Sequence, residues 1–406
     1  MNIQLKKSIC HKTAKLNITG SKSETNRLLL LQALYPNINL NNISKSDDSD
    51  VMTKAILNQN NEIDIHHAGT AMRFLTAFFS IQNDKETIIT GSSRMKERPI
   101  KILVDALKQL DVSIEYIEND GFPPIKIIGK KITKNQVTLQ ANVSSQYISA
   151  LLLIAPKLEN GLKIMLEGEI TSIPYIKMTL GLLAEIGVKT NFSGNTIEVF
   201  PLSKIENKLN LIIESDWSSA SYFYSIVAFS EIGTQITLDS FKKNSLQGDS
   251  ALAEIYKNFG IETTFNNHSI ILKKITNPAK SFIELDLNYS PDIAQTIAVT
   301  CFGLGIECYL TGLHTLKIKE TDRLEALKTE LTKFGASIEV SNDSLTLKTS
   351  KTINSDVKIA TYQDHRMAMA FAPMALKTTI EIENAEVVSK SFPTFWEDLK
   401  SIGFDF

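Results

Sequence analysis

Short runs of small and polar residues alternate along the chain with apolar stretches long enough to form helices. Six times such a run opens directly into an apolar stretch, at Gly20–Ser23, Ala68–Thr70, Val143–Gln146, Ser215–Ser219, Tyr289–Asp292 and Tyr362–Arg366. From the second opening onward the starts lie at 68, 143, 215, 289 and 362, a spacing of roughly 70 to 75 residues. A spacing this regular predicts an internal repeat with a helix at each opening.

A second helix-like segment accompanies each opening. These companion segments are Asp47–Leu57, Arg98–Leu110, Tyr175–Ile186, Asp249–Phe259, Asp322–Phe334 and Phe395–Ile402. Four of them end in an apolar residue followed by glycine, which readily adopts the left-handed conformation that closes a helix. Alternating runs such as Ile261–Phe265 and Ala336–Val340 follow and predict half-buried strands. Each repeat is therefore predicted to contain two helices and several strands.

The length of the chain indicates two domains. A chain of 406 residues exceeds what a single hydrophobic core usually serves, and two domains of about 200 residues would hold three repeats each. Counting repeats places the cuts after about residue 20 and near Glu214–Ser215. The domain of residues 21–214 then lies inside a second domain made of residues 1–20 and 215–406. Two chain crossings of this kind predict a hinge that can close on a ligand.

Composition and charge narrow the classes of partner. The chain is 43% hydrophobic and 22% charged with a net charge of −2, which is typical of an ordinary soluble globular protein and argues against nucleic acid or a membrane surface as its main partner. The three cysteines, Cys10, Cys301 and Cys308, lack CxxC spacing and predict buried thiols in a reducing compartment. The first residues contain no apolar segment typical of a signal peptide, so we expect a cytoplasmic location.

Positively charged side chains accumulate at the predicted helix starts. Helix N-termini present unpaired N–H groups and a partial positive charge, and therefore bind anions where they reach solvent. Any one of these cations is also consistent with a solvated surface residue, but their joint placement predicts a polyanion site in a cleft between the domains. The residues are Lys22, Arg27, Arg73, Arg98, Lys319, Arg323, Arg366 and Lys390.

The segment Lys319–Arg323 is the densest group of charged residues. At a helix start, Lys319 and Arg323 are four residues apart and would share a face, with Glu320 beside them. An ion-paired surface turn is the alternative interpretation of this segment. Together with Asp292 and His365 at two other helix starts, it supplies the acid, base and cation needed for proton transfer.

Hydroxyl and amide side chains mark two further helix starts. Ser144, Ser145 and Gln146 are typical of a helix cap and also suit phosphate binding, and Ser172 and Tyr175 are similarly ambiguous. The sequence contains no GxGxxG, Walker A, HExxH or GxSxG motif. It therefore lacks the signatures of dinucleotide-binding proteins, P-loop NTPases, zinc proteases and serine hydrolases.

Seven separated motifs, in order along residues 20 to about 395, resemble the 5-enolpyruvylshikimate-3-phosphate synthase family. They are Lys22-Ser23 with Arg27, Ala68–Arg73, Arg94–Pro99, Ser144–Gln146, Lys319–Arg323, Asp364–Met369 and Ser389–Pro393. The resemblance implies an α/β fold of two pseudo-symmetric domains. Each would contain three βαβαββ repeats arranged as an inside-out α/β barrel, and a two-crossover hinge would join them.

The resemblance also implies a reaction. The family transfers the enolpyruvyl group of phosphoenolpyruvate to the 5-hydroxyl of shikimate 3-phosphate and releases phosphate, by addition and elimination through a tetrahedral intermediate that is not bonded to the enzyme. No metal or organic cofactor is implied. The catalytic residues would be Lys22, Asp292, Glu320 and His365.

The substrate-binding residues follow from the same resemblance, motif by motif. Those for shikimate 3-phosphate would be Lys22, Ser23, Arg27, Ser144, Ser145, Gln146, Ser172, Tyr175, Asp292 and Lys319. Those for phosphoenolpyruvate would be Lys22, Gly69, Arg98, Gln146, Arg323, Arg366 and Lys390. The two substrates together bring about five to six negative charges, which accounts for the clustered cations.

Three positions depart from the commonest family pattern. His67 and Thr315 stand where the family often has asparagine, and Phe74 stands where it often has proline. The first two put the corresponding contacts in doubt. Phe74 bears on the family inhibitor glyphosate, while Gly69 leaves room for it, so we expect sensitivity to glyphosate. We expect a monomer, with an isologous dimer as the alternative.

Two other functions fit parts of the pattern. The enolpyruvyl transferase that acts on UDP-N-acetylglucosamine shares the domain plan, but it has asparagine after the first lysine and a cysteine in a mobile loop. Here Ser23 follows Lys22, and Gly91–Pro99 contains no cysteine. A non-catalytic repeat scaffold is the second alternative. It would not need Lys22, Asp292 and Glu320 in separate repeats.

Overall fold

The computed structural model describes the chain except for residues 59, 142–143, 169, 171–172 and 351 and the side chain of residue 318. The chain forms two compact units. The discontinuous unit comprises Met1–Gly20 and Glu214–Phe406, and the inserted unit comprises Ser21–Ile213. Glu214 belongs to the discontinuous unit, where its carboxylate accepts hydrogen bonds from Trp217 Nε1 and the Lys242 amide, both at 2.8 Å.

The helices and strands follow one another in a recurring order. The first residues form β1 (Ile3–Leu5) and β2 (Thr13–Leu16). The inserted unit contains α1 (Lys22–Leu34), β3 (Ile38–Asn41), α2 (Asp47–Leu57), β4 (Glu62–Asp64), α3 (Gly69–Ser80), β5 (Glu86–Thr90), α4 (Ser93–Lys96), α5 (Lys101–Gln109), β6 (Ser113–Tyr116), β7 (Ile125–Ile128), β8 (Gln136–Gln140), α6 (Ser145–Ile154), β9 (Leu162–Glu167), α7 (Ile173–Glu185), β10 (Thr190–Ser193), β11 (Thr196–Val199) and β12 (Leu209–Ile212).

The chain then returns to the discontinuous unit. Its elements there are α8 (Trp217–Phe229), β13 (Gln235–Asp239), α9 (Leu252–Ile255), β14 (Ile261–Asn266), β15 (Ser269–Lys274), β16 (Phe282–Asp286), α10 (Ala294–Leu304), β17 (Glu307–Thr311), α11 (Arg323–Lys333), β18 (Ser337–Val340), β19 (Leu345–Lys348), β20 (Val357–Ile359), α12 (His365–Phe371), β21 (Ile380–Ile382) and α13 (Phe395–Ser401). Short 3-10 helices occupy Ala155–Lys157, Gly248–Ala251, Tyr256–Phe259, Pro291–Ile293, His314–Ile318, Ala372–Leu376 and Ala385–Lys390.

Four of the sheets share one topology, with strand orders β4-β5-β7-β6, β8-β9-β11-β10, β2-β13-β15-β14 and β16-β17-β19-β18. In each, the first two strands are parallel and the last two pair antiparallel. A helix lies between the two parallel strands along the chain, and a hairpin ends the repeat. Between β2 and β13 the connection also contains the whole inserted unit. The smaller sheets are β3-β12 and β1-β21-β20. The predicted α/β fold of βαβαββ repeats is therefore confirmed.

The helices that begin at the six openings form the centre of each unit. In α8 every residue except Ser218 is buried, and in α10 every residue except Leu304 is buried. A helix that is apolar on all sides belongs in a core. The helices therefore lie inside and the sheets outside, as the inside-out arrangement requires. Within the described residues, no helix has the length and apolar character needed to cross a membrane.

Several local predictions are confirmed and one is wrong. Gly187, Gly260, Gly335 and Gly403 all have positive φ, and strands β14 and β18 follow the second and third of them. The segment Asp249–Phe259, however, is not a continuous α-helix, because 3-10 turns flank α9. Side chains at i and i+3 eclipse in a 3-10 turn. The turn after α9 places the buried rings of Tyr256 and Phe259 4.9 Å apart.

The cysteines are only partly as predicted. Cys301 and Cys308 are buried, whereas Cys10 is half-buried in the discontinuous unit. Burial raises the pKa of the Cys10 thiol to about 11, so this thiol is protonated at neutral pH.

Candidate active site

The starts of α1, α3 and α6 bring polar side chains together in the inserted unit. Ser21 caps α1, and Ser144 caps α6 by accepting a hydrogen bond from the Gln146 amide at 3.4 Å. The Gln146 side chain donates to Thr70 Oγ1 at 3.1 Å, which joins the start of α6 to the start of α3. Ser145 is buried behind the cap. The predicted residue Ser172 lies outside the described residues.

Arg27 is the buried cation of this unit, with 2% of its surface exposed. Its Nε donates to Thr179 Oγ1 at 2.8 Å, Nη1 to the Ser23 carbonyl at 2.8 Å and Nη2 to Ser149 Oγ at 3.1 Å. The Tyr175 ring lies 5.9 Å from its guanidinium carbon. Burial lowers the pKa of Arg27 to about 10, so the side chain remains charged at neutral pH.

Two further positions singled out in the sequence, Lys22 and Phe74, lie in the same unit as Arg27. Lys22, at the start of α1, lies 3.7 Å from Asp48 Oδ2 and is partly exposed. The Phe74 ring, on α3, lies 5.3 Å from the Arg27 guanidinium carbon. Phe74, which stands where the family often has proline, therefore contacts Arg27, a predicted substrate-binding residue.

Arg73 ties Gly69 to the segment that carries Arg98. Its Nη1 donates to the Gly69 carbonyl at 3.0 Å and its Nη2 to the Pro99 carbonyl at 2.9 Å. The Arg98 guanidinium lies so close to Gly69 that a Cβ there would stand 2.8 Å from its Cζ atom. Burial, followed by the nearby charge of Arg98, lowers the pKa of Arg73 to about 10. Glycine at 69 therefore permits the position of Arg98.

Arg323 organises the carboxylates of the discontinuous unit and is itself 2% exposed. Its Nε donates to Asp364 Oδ2 at 2.6 Å, Nη1 to Asp292 Oδ1 at 2.8 Å and Nη2 to Glu320 Oε2 at 2.7 Å. Burial opposes its charge, but Asp364, Glu320 and Asp292 outweigh burial and raise the pKa of Arg323 above its usual value. One guanidinium thus fixes three carboxylates that belong to separate repeats or turns.

Lys319 does not share a helical face with Arg323, and that prediction is wrong. The Asp322 side chain accepts hydrogen bonds from the Leu324 and Glu325 amides at 3.2 Å, so α11 begins only at Arg323. Lys319 instead follows the 3-10 helix that contains Thr315. Its Nζ still lies 3.5 Å from Asp292 Oδ1.

The start of α12 adds three more predicted residues. Arg366 Nη2 lies 3.4 Å from Asp292 Oδ2, and Asp364 caps the helix by accepting from the Arg366 amide at 2.9 Å. His365 is buried, with Nδ1 3.8 Å from Asp364 Oδ1. Lys390 Nζ donates to the Gln363 carbonyl at 2.8 Å, just before this helix.

Three functional candidates carry little or no signal of their role in the sequence. Asp364 is visible only as part of a motif, yet it holds Arg323. Ser218 hydrogen bonds Arg366 and Asp249, two residues that are distant in sequence. Only the pairing of polar residues across repeats, which needs the tertiary structure, identifies them.

The two units therefore offer different chemistry. The inserted unit presents capped helix starts and cations that suit phosphate or carboxylate binding. The discontinuous unit presents carboxylates fixed by an arginine, beside further cations, which suits proton transfer. Within the part of the chain that the structure describes, no group of three or more His, Cys, Asp or Glu residues is arranged to hold a metal ion.

Comparisons with known proteins agree on one family. The family model of EPSP synthase (3-phosphoshikimate 1-carboxyvinyltransferase) matches residues 52–399. The chain is 46% identical to 3-phosphoshikimate 1-carboxyvinyltransferase of Bacteroides fragilis over 96% of this chain and 95% of that protein. It is 35% identical to the protein of that name from Colwellia psychrerythraea over 95% and 96% of the two chains.

Solved structures share the fold. The EPSP synthase of Acinetobacter baumannii superposes with a TM-score of 0.83 at 21% identity, covering 100% of this chain and 99% of that one. The enolpyruvyl transferase NikO of Streptomyces tendae gives 0.73 at 12% identity, with 99% and 97% covered. With the family model and the sequence relatives in agreement across nearly the whole chain, this protein belongs to the EPSP synthase family.

Proposed function

We propose that this protein transfers the enolpyruvyl group of phosphoenolpyruvate to the 5-hydroxyl of shikimate 3-phosphate and releases phosphate. Membership of the EPSP synthase family supports the reaction. The observation that carries it to this chain is the Arg323 fork, which holds Asp292 and Glu320 at 2.8 and 2.7 Å. Two carboxylates fixed beside cations are what a reaction of anionic substrates with two proton transfers requires.

Residues of both units take part in binding each substrate. We assign shikimate 3-phosphate to Lys22, Ser23, Arg27, Ser144, Ser145, Gln146, Ser172, Tyr175, Asp292 and Lys319. We assign phosphoenolpyruvate to Lys22, Gly69, Arg98, Gln146, Arg323, Arg366 and Lys390. The burial and hydrogen bonds of Arg27, together with the placement of Arg98 against Gly69, support cation sites that are preorganised before any substrate binds.

The reaction proceeds by addition and then elimination. Asp292 takes the proton of the 5-hydroxyl as its oxygen bonds to C2 of phosphoenolpyruvate, and Glu320 gives a proton to C3, which becomes a methyl group. In the second step the bond between C2 and the phosphate oxygen breaks, and Glu320 removes a proton from that methyl group. The double bond between C2 and C3 is thereby restored. Lys22 assists proton transfer and holds the departing phosphate, while His365 orients the groups near Glu320.

The arrangement of cations explains how the charge is managed. Each substrate carries a phosphate and a carboxylate, and repulsion between them opposes their approach. Donors that are already in place stabilise this charge without reorganising during the reaction. The chain's own residues supply these groups, so we propose that no metal or organic cofactor takes part.

A coupled assay tests the proposal. Purified protein mixed with both substrates in the presence of a chelator is expected to release phosphate, and mass spectrometry is expected to find the enolpyruvyl product. Replacing shikimate 3-phosphate by UDP-N-acetylglucosamine serves as the control. If UDP-N-acetylglucosamine supports phosphate release and shikimate 3-phosphate does not, the assignment is contradicted. If neither acceptor supports phosphate release, the result supports a non-catalytic scaffold.

We also propose that the protein acts as a monomer in the cytoplasm, on small-molecule substrates and without a nucleic-acid or membrane partner. The net charge of −2 supports the expected absence of a nucleic-acid or membrane partner. Sedimentation velocity of the purified chain, with and without substrates, is expected to give one species near 45.2 kDa. A stable species of twice that mass would support the isologous dimer instead.

A further inference from the structure

The opening at Ser215–Ser219 has no role in the reaction described so far. Asp216 caps α8 by accepting a hydrogen bond from the Ser219 amide at 2.8 Å, which leaves the Ser218 hydroxyl for other partners. Ser218 Oγ accepts a hydrogen bond from Arg366 Nη2 at 3.2 Å and donates one to Asp249 Oδ2. Ser218 thus joins a carboxylate that no step uses to a cation assigned to phosphoenolpyruvate.

Asp249 is held in this position by its neighbours. Only 7% of its surface is exposed. Two residues earlier, Gln247 accepts a hydrogen bond from the Trp217 amide and donates one to the Ser215 carbonyl, both at 3.0 Å. These bonds fasten the 3-10 turn that carries Asp249 to the start of α8. The carboxylate therefore has a fixed place beside Ser218.

Arg366 continues the chain of contacts to the reacting groups. The Nη2 atom that donates to Ser218 also lies 3.4 Å from Asp292 Oδ2. The other oxygen of Asp292 accepts from Arg323 Nη1 at 2.8 Å. Asp292 therefore lies between two guanidinium groups. Asp364 and Glu320 hold the Arg323 guanidinium, and Ser218 holds the Arg366 guanidinium.

We propose that Asp249 is a positioning residue of the enolpyruvyl transfer, which acts through Ser218 to fix the Arg366 guanidinium against Asp292. The proposal rests on the proposed function, because Arg366 is assigned there to phosphoenolpyruvate. An ionised Asp249 orients the Ser218 hydroxyl toward itself and leaves the oxygen lone pairs for Arg366. Arg366 then meets its substrate already oriented, which lowers the cost of ordering a long side chain on binding.

The charges around Asp249 make this arrangement sensitive to pH. Burial, followed by the nearby Asp292 carboxylate, raises the pKa of Asp249 to about 7, while Arg366 and the Ser218 hydrogen bond lower it and Asp216 raises it. As pH falls through about 7, the protonated carboxyl no longer imposes the orientation of Ser218. The KM for phosphoenolpyruvate is therefore expected to rise toward low pH.

Steady-state kinetics of two single variants and their double variant test the role. Asp249→Ala and Ser218→Ala are each expected to raise the KM for phosphoenolpyruvate about fivefold to tenfold, as loss of roughly one ordinary hydrogen bond would. The KM for shikimate 3-phosphate is expected to change less than twofold. The double variant is expected to match the larger single effect, because the two residues act in one chain.

Asp249→Asn separates positioning from packing. Its side-chain oxygen still accepts from Ser218, so the KM at pH 8 is expected to stay near the wild-type value. The rise in KM below pH 7 should then be smaller than in the wild type. Phosphoenolpyruvate itself titrates in this range, so the ratio of variant to wild-type KM at each pH is the measured quantity.

Asp398→Asn is the matched control. Asp398 lies in the same unit, accepts a hydrogen bond from Thr394 Oγ1 at 3.0 Å, and has a pKa that burial raises to about 6. It is expected to change neither KM nor its pH dependence. Thermal melting shows which variants fold. If Asp249→Ala does not fold, the KM of Ser218→Ala for phosphoenolpyruvate tests the proposal.

Two results would overturn the proposal. Folded Ser218→Ala and Asp249→Ala proteins with wild-type KM for phosphoenolpyruvate would show that Asp249 does not position Arg366. Equal rises in both substrate KM values would show a general structural role instead. Wild-type protein without turnover would overturn the proposed function as well, so the wild-type assay distinguishes the two failures.

Discussion

Arg27 and Arg323 are equally buried, yet the two units surround them with opposite partners. Arg27 in the inserted unit donates to two hydroxyls and one backbone carbonyl. Arg323 in the discontinuous unit donates to three carboxylates. Neutral partners leave the positive charge of Arg27 available to an anion, whereas three carboxylates share the positive charge of Arg323. The difference indicates that Arg27 serves anion binding alone, whereas Arg323, besides its assignment to phosphoenolpyruvate, holds the acids and bases of its unit in place.

The largest expected effect concerns the exposed carboxylate of the Arg323 fork. Glu320→Gln keeps a hydrogen-bond acceptor for Arg323 but cannot transfer a proton, so kcat is expected to fall by about 10²- to 10⁴-fold with little change in either KM. Phosphate released at fixed times after mixing, at saturating substrate, measures kcat. Glu325→Gln, an exposed carboxylate in the first turn of α11, is the control and should keep wild-type kcat. Wild-type kcat in Glu320→Gln would remove Glu320 from the proton transfers.

The free energy of unfolding of two variants compares the contributions of Arg323 and Arg27 to stability. Arg323→Met removes the guanidinium that three carboxylates share and is expected to lower the free energy of unfolding by about 3–5 kcal/mol. Arg27→Met leaves two hydroxyls that already hydrogen bond each other at 3.0 Å, so its loss is expected to be smaller, about 1–3 kcal/mol. Urea denaturation at one pH measures both. Equal losses would contradict the contrast between charged and neutral partners.

Substrate binding is expected to depend on the shape of Arg27. Arg27→Lys keeps a charge but loses the planar fork, so the KM for shikimate 3-phosphate is expected to rise about 10- to 100-fold. The kcat at saturation should change far less, because the group binds rather than reacts. Lys130→Arg, a charge-conserving change of a lysine outside the assigned site, serves as the control. A fall in kcat without a rise in KM would place Arg27 in the chemistry.

A smaller effect is expected from the glycine beside Arg98. In Gly69→Ala the new Cβ would overlap the Arg98 guanidinium, which must move. The KM for phosphoenolpyruvate is expected to rise about tenfold, a loss of about 1.4 kcal/mol. The KM for shikimate 3-phosphate provides the internal control and should stay constant. A structure of the variant with Arg98 unmoved would contradict the explanation.

The sequence predicted the repeats because their signals are local. Apolar periodicity, capping residues and the glycines that end four companion segments depend on neighbours in the chain, and these elements form as expected. The predicted face shared by Lys319 and Arg323 is wrong because Asp322 caps α11, which leaves Lys319 before the helix. The irregular helix after Gln247 was also not predicted, since apolar periodicity does not distinguish its 3-10 turns from α-helix.

The candidate site was predictable in its residue types but not in its connections. Motifs indicated Asp292, Glu320 and Arg323, whereas nothing in the sequence joins Ser218 to Arg366, 148 residues away. Contacts between distant repeats arise only when the helices pack. Asp249 lacks a local signal for the same reason, although burial gives it one of the raised carboxyl pKa values of the chain.

Deuterium incorporation tests most directly the division of labour between Arg27, which binds substrate, and Glu320, which transfers protons. In D₂O, with both substrates saturating, a deuteron added to C3 of phosphoenolpyruvate remains in part of the enolpyruvyl product, and mass spectrometry follows its appearance. The division predicts that Arg27→Lys incorporates deuterium at nearly the wild-type rate and that Glu320→Gln incorporates it at least about 100-fold more slowly. Wild-type incorporation by Glu320→Gln, or its loss in saturated Arg27→Lys, would contradict the division.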